Sequence, residues 1–210
     1  MDKNNPTLSI IIPTNGQRED SLKRCLESIK KHTKVSYEVF VERGGDCVSW
    51  AINNGLRKAK GDFITIPNIA DDIEVTKGWD TQMIDYMKSR KKVGAGVHTV
   101  YNEDGSLESY GGFVSPERLN LDPYDMPDYG GYMLVKREVF EKVGLMDEKF
   151  KPIYCEDADY GLRIWEAGYK IGVCETSKLI HHHAIEGRRE GRAENREYLL
   201  KKHKNNARLM

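Results

Sequence analysis

Short apolar segments alternate with amphipathic helical patterns from the start of this chain, and this alternation restricts the fold more than any other feature. Three segments have the composition of strands, in the order TLSIIIP, YEVFV and DFITI. Between them, apolar residues recur at helical spacing, first from Leu22 to Ile29 and then from Val48 to Ala59. A β-α-β-α-β order is typical of a parallel sheet whose strands are joined by crossover helices.

The sequence also predicts where these elements end and which elements follow. Asp20 or Ser21 is expected to cap the first helix, and Gly61 is expected to follow the second. A third helix precedes the strand VGAGVHTVY, and the turn at Asp104-Gly105 predicts a hairpin. The remaining predictions are a strand and helix in YMLVKREVFEKVG, a helix in EDADYGLRIWEAGYK, and two short strands in KIGVC and KLIHHH.

The carboxyl ends of the first three strands form the predicted binding region, because open parallel sheets bind ligands there. These ends carry the turns PTNG, ERGGD and NIADD, which should converge on one crevice. In the third turn, Asp71 and Asp72 stand side by side, where their charges repel each other and are costly to desolvate. Two explanations remain open: a divalent cation held by the carboxylates, or a solvated acidic turn at the start of the next helix.

A second acidic cluster, CEDADYGLR, begins one of the later helices. Asp159 and Arg163 are four residues apart, so they are expected to pair on the helix surface. Glu156 and Asp157 lie at or before the first turn, where backbone N–H groups favour negative charge. This cluster is either a helix cap or a general base held at the rim of a cleft.

Three consecutive histidines, His181 to His183, follow a short apolar strand. Alternation along a strand sends His181 and His183 to one face and His182 to the other. The cluster is either fortuitous or a source of imidazole for a metal that carboxylates alone bind weakly.

Composition describes a polar globular chain of 210 residues, expected to form one domain over residues 1–186 with a basic, helical tail over 187–210. Lys plus Arg and Asp plus Glu both count 33, so no global field attracts nucleic acid. No apolar run is long enough to span a bilayer and no secretory signal is recognised, which predicts a cytoplasmic protein. The tail is expected to be solvated or to contact a membrane surface peripherally, at its cytoplasmic face.

With these pieces in order, the chain resembles glycosyltransferase family 2 over about Thr7 to His183. LSIIIPTNGQREDSLKRCLESI resembles the family's opening strand, turn and first helix, and YEVFVERGGD resembles its second strand and nucleotide loop. AINNGLRKAKGDFITI and NIADDIEV resemble the next helix, strand and Asp-x-Asp-type motif. GGYMLVKREVFEKVGLMDEKF resembles the acceptor-side segment, and CEDADYGLRIWEAGYKI resembles the Glu-Asp motif.

The resemblance implies a GT-A fold: a Rossmann-like, mostly parallel central sheet flanked by helices, with a small antiparallel subsheet on the acceptor side. It implies an inverting hexosyltransferase that uses a UDP-sugar and Mn²⁺ or Mg²⁺. The implied nucleotide-sugar-binding residues are Pro13, Thr14, Asn15, Glu42, Asn53 and Asp71. The implied metal ligands are Asp72 and His181, the implied catalytic base is Asp157, and the implied acceptor-side residues are Gly131, Tyr132 and Glu156.

Several positions depart from the family pattern. Ala70 stands at the first Asp-x-Asp position, so metal binding depends on Asp72. Ile52 replaces an arginine that contacts phosphate, and Glu42 is one methylene longer than the usual aspartate. Two other functions stay open, a nucleotidyltransferase and a non-catalytic module that binds nucleotide sugars or glycans.

The resemblance also implies the partners of this chain. The donor is a nucleotide sugar, and the acceptor is a glycan, a protein or a lipid-linked molecule. The long segment rich in Gly, Pro and Asp at residues 110–129 is expected to serve the acceptor side.

Overall fold

The computed structural model describes residues 5–66, 69–110, 131–183 and 191–205, so nearly all of the predicted acceptor segment lies outside the described residues. The strands are β1 (Leu8–Thr14), β2 (Tyr37–Arg43), β3 (Phe63–Thr65), β4 (Ile73–Val75), β5 (Val93–Asn102), β6 (Leu107–Ser109), β7 (Met133–Lys136) and β8 (Lys170–His181). The helices are α1 (Glu19–His32), α2 (Val48–Leu56), α3 (Trp79–Lys88), α4 (Arg137–Val143), α5 (Glu156–Glu166) and α6 (Arg192–Lys202).

One mixed sheet joins these strands in the order β2-β1-β3-β7-β5-β8-β4, with β6 paired to β5 at the side. β1 runs parallel to β2 and β3, and β5 runs parallel to β8. β7 is antiparallel to both β3 and β5. β4 is antiparallel to β8, and β6 is antiparallel to β5. Five of the eight strands therefore share one direction, which confirms the predicted α/β fold with a mostly parallel sheet.

The core lies on both faces of this sheet, which explains why β1 is apolar without alternation. Leu8, Ile10 and Ile12 belong to the cluster that contains α1 and α3, whereas Ile11 belongs to the cluster that contains α2 and α5. Each such fully buried side chain contributes about 1.5–3 kcal/mol. α2 approaches the strand closely at Gly55, where an added Cβ would lie 2.7 Å from Ile11 Cγ2.

Two predicted helix boundaries are wrong. Asp20 and Ser21 lie inside α1, whose N-cap residue is Arg18 and has no capping side chain. α2 ends at Leu56, and the chain then turns so that Gly61 N donates a hydrogen bond to Ser9 Oγ at 2.8 Å. Since that contact fixes Gly61 against β1, the helix cannot continue to it.

The two short strands predicted near the C-terminus are one strand, β8, with an irregularity opposite His98 and Thr99. Ser177 Oγ donates to Trp79 O at 2.6 Å and lies 2.7 Å from His98 Nδ1. His98 and Ser177 are fully buried, so these hydrogen bonds satisfy groups that would otherwise be costly to bury.

α6 packs against α5 instead of lying free in solvent. Asp159 is fully buried and pairs with Arg163 Nε at 2.9 Å, so this pair is not the surface pair predicted from the sequence. Lys202 Nζ and His203 Nε2 also lie 2.6 and 2.9 Å from Asp159 Oδ1. A buried carboxylate needs such partners, and they attach the end of α6 to α5.

Helices long and apolar enough to cross a membrane are absent from the described part of the chain.

Candidate functional site

The carboxyl ends of β1, β2 and β3 face the same edge of the sheet, as the sequence predicts, because β1 pairs in parallel with both neighbours. The turn that holds Asp71 follows β3 and lies against the end of β1. Thr14 Oγ1, in the last residue of β1, donates a hydrogen bond of 2.6 Å to Asp71 Oδ2. This bond fixes the acidic turn against the first strand.

Arg18 is the positive group beside the two aspartates. Its Nη2 lies 2.5 Å from Asp71 Oδ1, and its Nη1 lies 2.7 Å from Asp72 Oδ2. Asp71 is fully buried and Asp72 is 8% exposed, so the guanidinium bridges two carboxylates that water barely reaches. From the sequence a metal is expected here, and the structure adds Arg18, a cation from the turn after the neighbouring strand.

His181 comes next to Asp72 because β8 pairs with β4, with His181 opposite Ile73. Its Nε2 lies 3.6 Å from Asp72 Oδ2, and its Nδ1 lies 3.0 Å from Glu108 Oε2. Burial opposes protonation of His181, but the interactions with Asp72 and Glu108 outweigh it and raise its pKa to about 9. Burial of Asp72 is likewise outweighed by His181 and Arg18, which lower its pKa to about 2.

These side chains fit the divalent cation that the resemblance implies. Asp72 offers an oxygen and His181 offers Nε2 on the same side, and Glu108 holds the other ring nitrogen. Carboxylates orient the imidazole ligands of metal sites in this way. One ligand atom each from Glu108, His181 and His183 also lies within 4.8 Å of the others.

The strand alternation predicted for the three histidines is confirmed. The rings of His181 and His183 lie on one face, with centroids 3.9 Å apart. His182 lies on the other face, where Nε2 is 3.0 Å from Glu74 Oε2 and Nδ1 contacts Glu103.

Tyr132, next to Gly131 at the start of β7, lies beside His181 with 5.8 Å between ring centroids. Burial and the charges of Asp72, Glu108 and Asp157 raise the pKa of Tyr132. Tyr132 is therefore close both to the cluster of Asp72, Glu108 and His181 and to the acidic start of α5.

Glu156 and Asp157 begin α5 directly after two residues in the left-handed region, Tyr154 at φ 88° and Cys155 at φ 69°. Such strain in residues other than glycine clusters at functional sites. Glu156 is buried, and this burial together with the charge of Asp157 raises its pKa to about 8. Asp157 is partly exposed, and its Oδ1 accepts a hydrogen bond of 2.8 Å from Ala158 N. Burial raises the pKa of Asp157, and the Ala158 hydrogen bond opposes this rise.

Asn195 in α6 supports that strained turn and was not identified from the sequence. Its Nδ2 donates to the carbonyls of Lys151, Ile153 and Tyr154 at 3.0–3.1 Å. Its Oδ1 accepts from Lys151 N at 3.2 Å. A lone asparagine in a basic tail carried no signal of this contact.

The implied nucleotide-side residues have differing surroundings. Pro13 and Thr14 are buried at the end of β1, and Asn15 is exposed with its Oδ1 accepting from Gln17 N at 2.9 Å. Glu42 is 8% exposed and pairs with Lys58 Nζ at 2.6 Å.

Asn53 lies inside the protein and ties α2 to the segment after α4. It is 1% exposed, and its Nδ2 donates to Met146 O at 3.0 Å and Glu148 Oε1 at 2.7 Å. Its Oδ1 accepts from Met146 N at 2.9 Å. Both amide hydrogens are thus used within the protein, which leaves no donor for a nucleotide.

Comparisons with known proteins show which proteins this chain resembles. The family model "Glycosyl transferase family 2" matches residues 42–144. The O-antigen biosynthesis protein RfbC of Myxococcus xanthus is 23% identical over 87% of this chain and 18% of its own length. The matches to RfbC and two other curated relatives span 10–26% of the length of those proteins.

Two solved structures share the fold. One is described as GalNAc-T7 with UDP, GalNAc and Mn²⁺, with TM-score 0.70, 17% identity, and coverage of 95% of this chain and 48% of that chain. The other is the mannosyltransferase PcManGT of Pyrobaculum calidifontis in complex with GDP-Man and Mn²⁺, with TM-score 0.62, 16% identity, and coverage of 88% and 59%. The family model and the shared GT-A fold confirm the resemblance of this chain to glycosyltransferase family 2.

Proposed function

We propose that this chain is an inverting glycosyltransferase that moves a sugar from a nucleotide-diphosphate sugar to an acceptor hydroxyl. The observation that carries this proposal is the distance of 3.6 Å between Asp72 Oδ2 and His181 Nε2, in a cluster at the carboxyl ends of the strands. An acid and an imidazole so placed suit a cation that holds a diphosphate. The family model and the sugar-nucleotide complexes of the two fold neighbours support the same donor class.

On the donor side, Asp72 and His181 would hold Mn²⁺ or Mg²⁺, with Glu108 orienting the ring of His181. A cation held there would supply positive charge to stabilise the leaving diphosphate. Pro13, Thr14 and Asn15 border the nucleotide from the end of β1. We assign the donor as a UDP-sugar, with Glu42 facing the base beside Lys58.

On the acceptor side, Asp157 is the general base. It accepts the hydroxyl proton while the acceptor oxygen forms a bond to the anomeric carbon and the bond from that carbon to the diphosphate breaks. Burial and the charge of Asp157 raise the pKa of Glu156 to about 8, which favours a neutral Glu156 beside a charged Asp157. A glycan hydroxyl is the acceptor that the name of the O-antigen relative supports.

The experiment is thermal unfolding with UDP, GDP and their sugars, with and without Mn²⁺, together with hydrolysis of the best donor. A ligand at about 100 times its Kd stabilises the protein by about 2.7 kcal/mol. Asp72→Asn is expected to lose the Mn²⁺-dependent shift. Asp157→Asn is expected to keep the Mn²⁺-dependent shift in unfolding temperature. Its turnover rate is expected to fall about 10²–10⁴-fold, the usual contribution of a general base.

The matched control is Asp85→Asn, an exposed aspartate on α3, which is expected to behave as wild type. The absence of any nucleotide-dependent shift would refute the donor site. Wild-type turnover in Asp157→Asn would remove this residue from the role of base.

A further inference from the structure

Arg18 occupies the oxygen that the proposed cation needs. Its Nη1 lies 2.7 Å from Asp72 Oδ2, and His181 Nε2 approaches the same oxygen at 3.6 Å. The side chain of Arg18 is 20% exposed and that of Asp72 is 10% exposed, so water screens this contact little. A guanidinium and a divalent cation on one carboxylate oxygen would repel each other strongly.

The position of Arg18 allows its guanidinium to move away from Asp72. Arg18 is the N-cap residue of α1, and its own carbonyl accepts the first helical hydrogen bond, from Leu22 N at 2.9 Å. The backbone is therefore fixed by the helix while the long side chain can change partner. Among the described residues its buried Nε has no hydrogen-bond partner, so the ion pair with the aspartates leaves one donor unused.

We propose that Arg18 is a built-in counter-ion that competes with the divalent cation for Asp72 and transfers to the donor diphosphate when cation and donor bind together. The proposal rests on the donor site described above. Guanidinium suits this exchange because its planar fork pairs equally well with carboxylates and phosphates. Arg18 thereby lowers the affinity for the cation alone and makes cation and nucleotide bind cooperatively.

In the first test, Mn²⁺ is titrated into the protein without nucleotide, and calorimetry measures the affinity for Mn²⁺. Arg18→Met is expected to bind Mn²⁺ about tenfold tighter than wild type, because a competing positive charge is removed from Asp72. Arg18→Lys keeps a charge but not the two-pronged bridge, so its affinity is expected to lie between the two. Arg43→Met, which removes the same charge from an exposed ion pair with Glu19, is expected to leave the affinity unchanged.

Removal of Arg18 leaves two poorly solvated carboxylates unpaired, so Arg18→Met is expected to unfold at lower temperature than wild type. Mn²⁺ should restore its stability more than it raises that of wild type. If Arg18→Met does not fold, Arg18→Lys against wild type decides the question. Equal or weaker Mn²⁺ binding in the Arg18 variants would overturn the proposal.

The second test compares Mn²⁺ affinity with and without saturating UDP. Wild type is expected to gain affinity from UDP by a larger factor than Arg18→Met does, since only wild type has a guanidinium to transfer. An equal gain in both proteins overturns the exchange while leaving the donor site intact. If wild type does not bind UDP in the presence of Mn²⁺, the donor site itself is refuted. The role of Arg18 as a partner of the diphosphate is then refuted as well.

Discussion

Asp71 and Asp72 are neighbours in the chain, yet their carboxyl groups meet different surroundings. Burial raises the pKa of Asp71, opposed by the hydrogen bond from Thr14 and the charge of Arg18. For Asp72, the interactions with His181 and Arg18 prevail over burial and lower its pKa to about 2. Asp72 thus keeps its charge between His181 and Arg18, while Asp71 joins the acidic turn to β1 through Thr14.

Glu108 is expected to control metal affinity through its contact with His181 Nδ1. Glu108→Gln should weaken Mn²⁺ binding about 10-fold or more, the usual loss when a residue that orients a metal ligand is changed. Calorimetric titration measures this loss.

Glu103→Gln is the matched control, because Glu103 contacts His182 on the opposite face of β8. It is expected to leave Mn²⁺ affinity unchanged. The same loss in both variants would mean that the acidic surface as a whole attracts the cation, and that Glu108 has no specific part.

At the scale of helices and strands, the sequence predicts the features that local patterns determine. It does not predict the features that depend on contacts between distant residues. The alternation of strands and helices up to β3 was predictable because apolar spacing within each segment specifies it. The single strand β8 was not, because its pairing with β5 and the contact of Ser177 with His98, 79 residues away, leave no local pattern. The Arg18 contact with Asp72 spans 54 residues and likewise leaves no local signature.

The same division applies to the candidate site. The acidic turn and the Glu156–Asp157 pair were found because unusual charges at strand and helix ends call for an explanation. Asn53 was assigned to the nucleotide by resemblance, whereas its hydrogen bonds go to residues more than 90 positions away. These hydrogen bonds of Asn53 become visible once α2 and the segment after α4 are placed together in the fold.

α6 is expected to stabilise the turn that carries the proposed base. Asn195→Ala removes the side-chain hydrogen bonds to the carbonyls of Lys151, Ile153 and Tyr154. Loss of such partners costs about 1–3 kcal/mol when the remaining groups stay poorly solvated. Urea unfolding measures this cost, and hydrogen exchange should become faster at the amides of residues 154–158.

Glu197→Ala is the control for this variant, since it removes an exposed side chain from the same helix. Its stability and exchange are expected to match wild type. If Asn195→Ala loses stability without faster exchange in that turn, α6 supports the fold in general and not the turn in particular.

At the scale of the whole molecule, the charges of the chain sum to zero, so the pH dependence of its stability reflects individual buried groups. Glu156 is the clearest of these at alkaline pH, because its pKa is raised from 4.5 to about 8. The folded protein therefore holds a proton that the unfolded chain releases. This contribution is fully present below pH 4.5 and is lost as the pH rises through about 8.

Wild type, free of metal, is thus expected to lose free energy of unfolding from about pH 4.5 to about pH 8, between the unfolded and folded pKa values of Glu156. Glu156→Gln keeps the neutral form at every pH and should lose less over the same interval. Each pKa unit corresponds to about 1.4 kcal/mol, so the difference between the two proteins is measurable by urea unfolding at pH 5, 7 and 9. Parallel curves for the two proteins would show that Glu156 is ionised in the folded state at neutral pH, and Asp157 would then have to act beside a second negative charge.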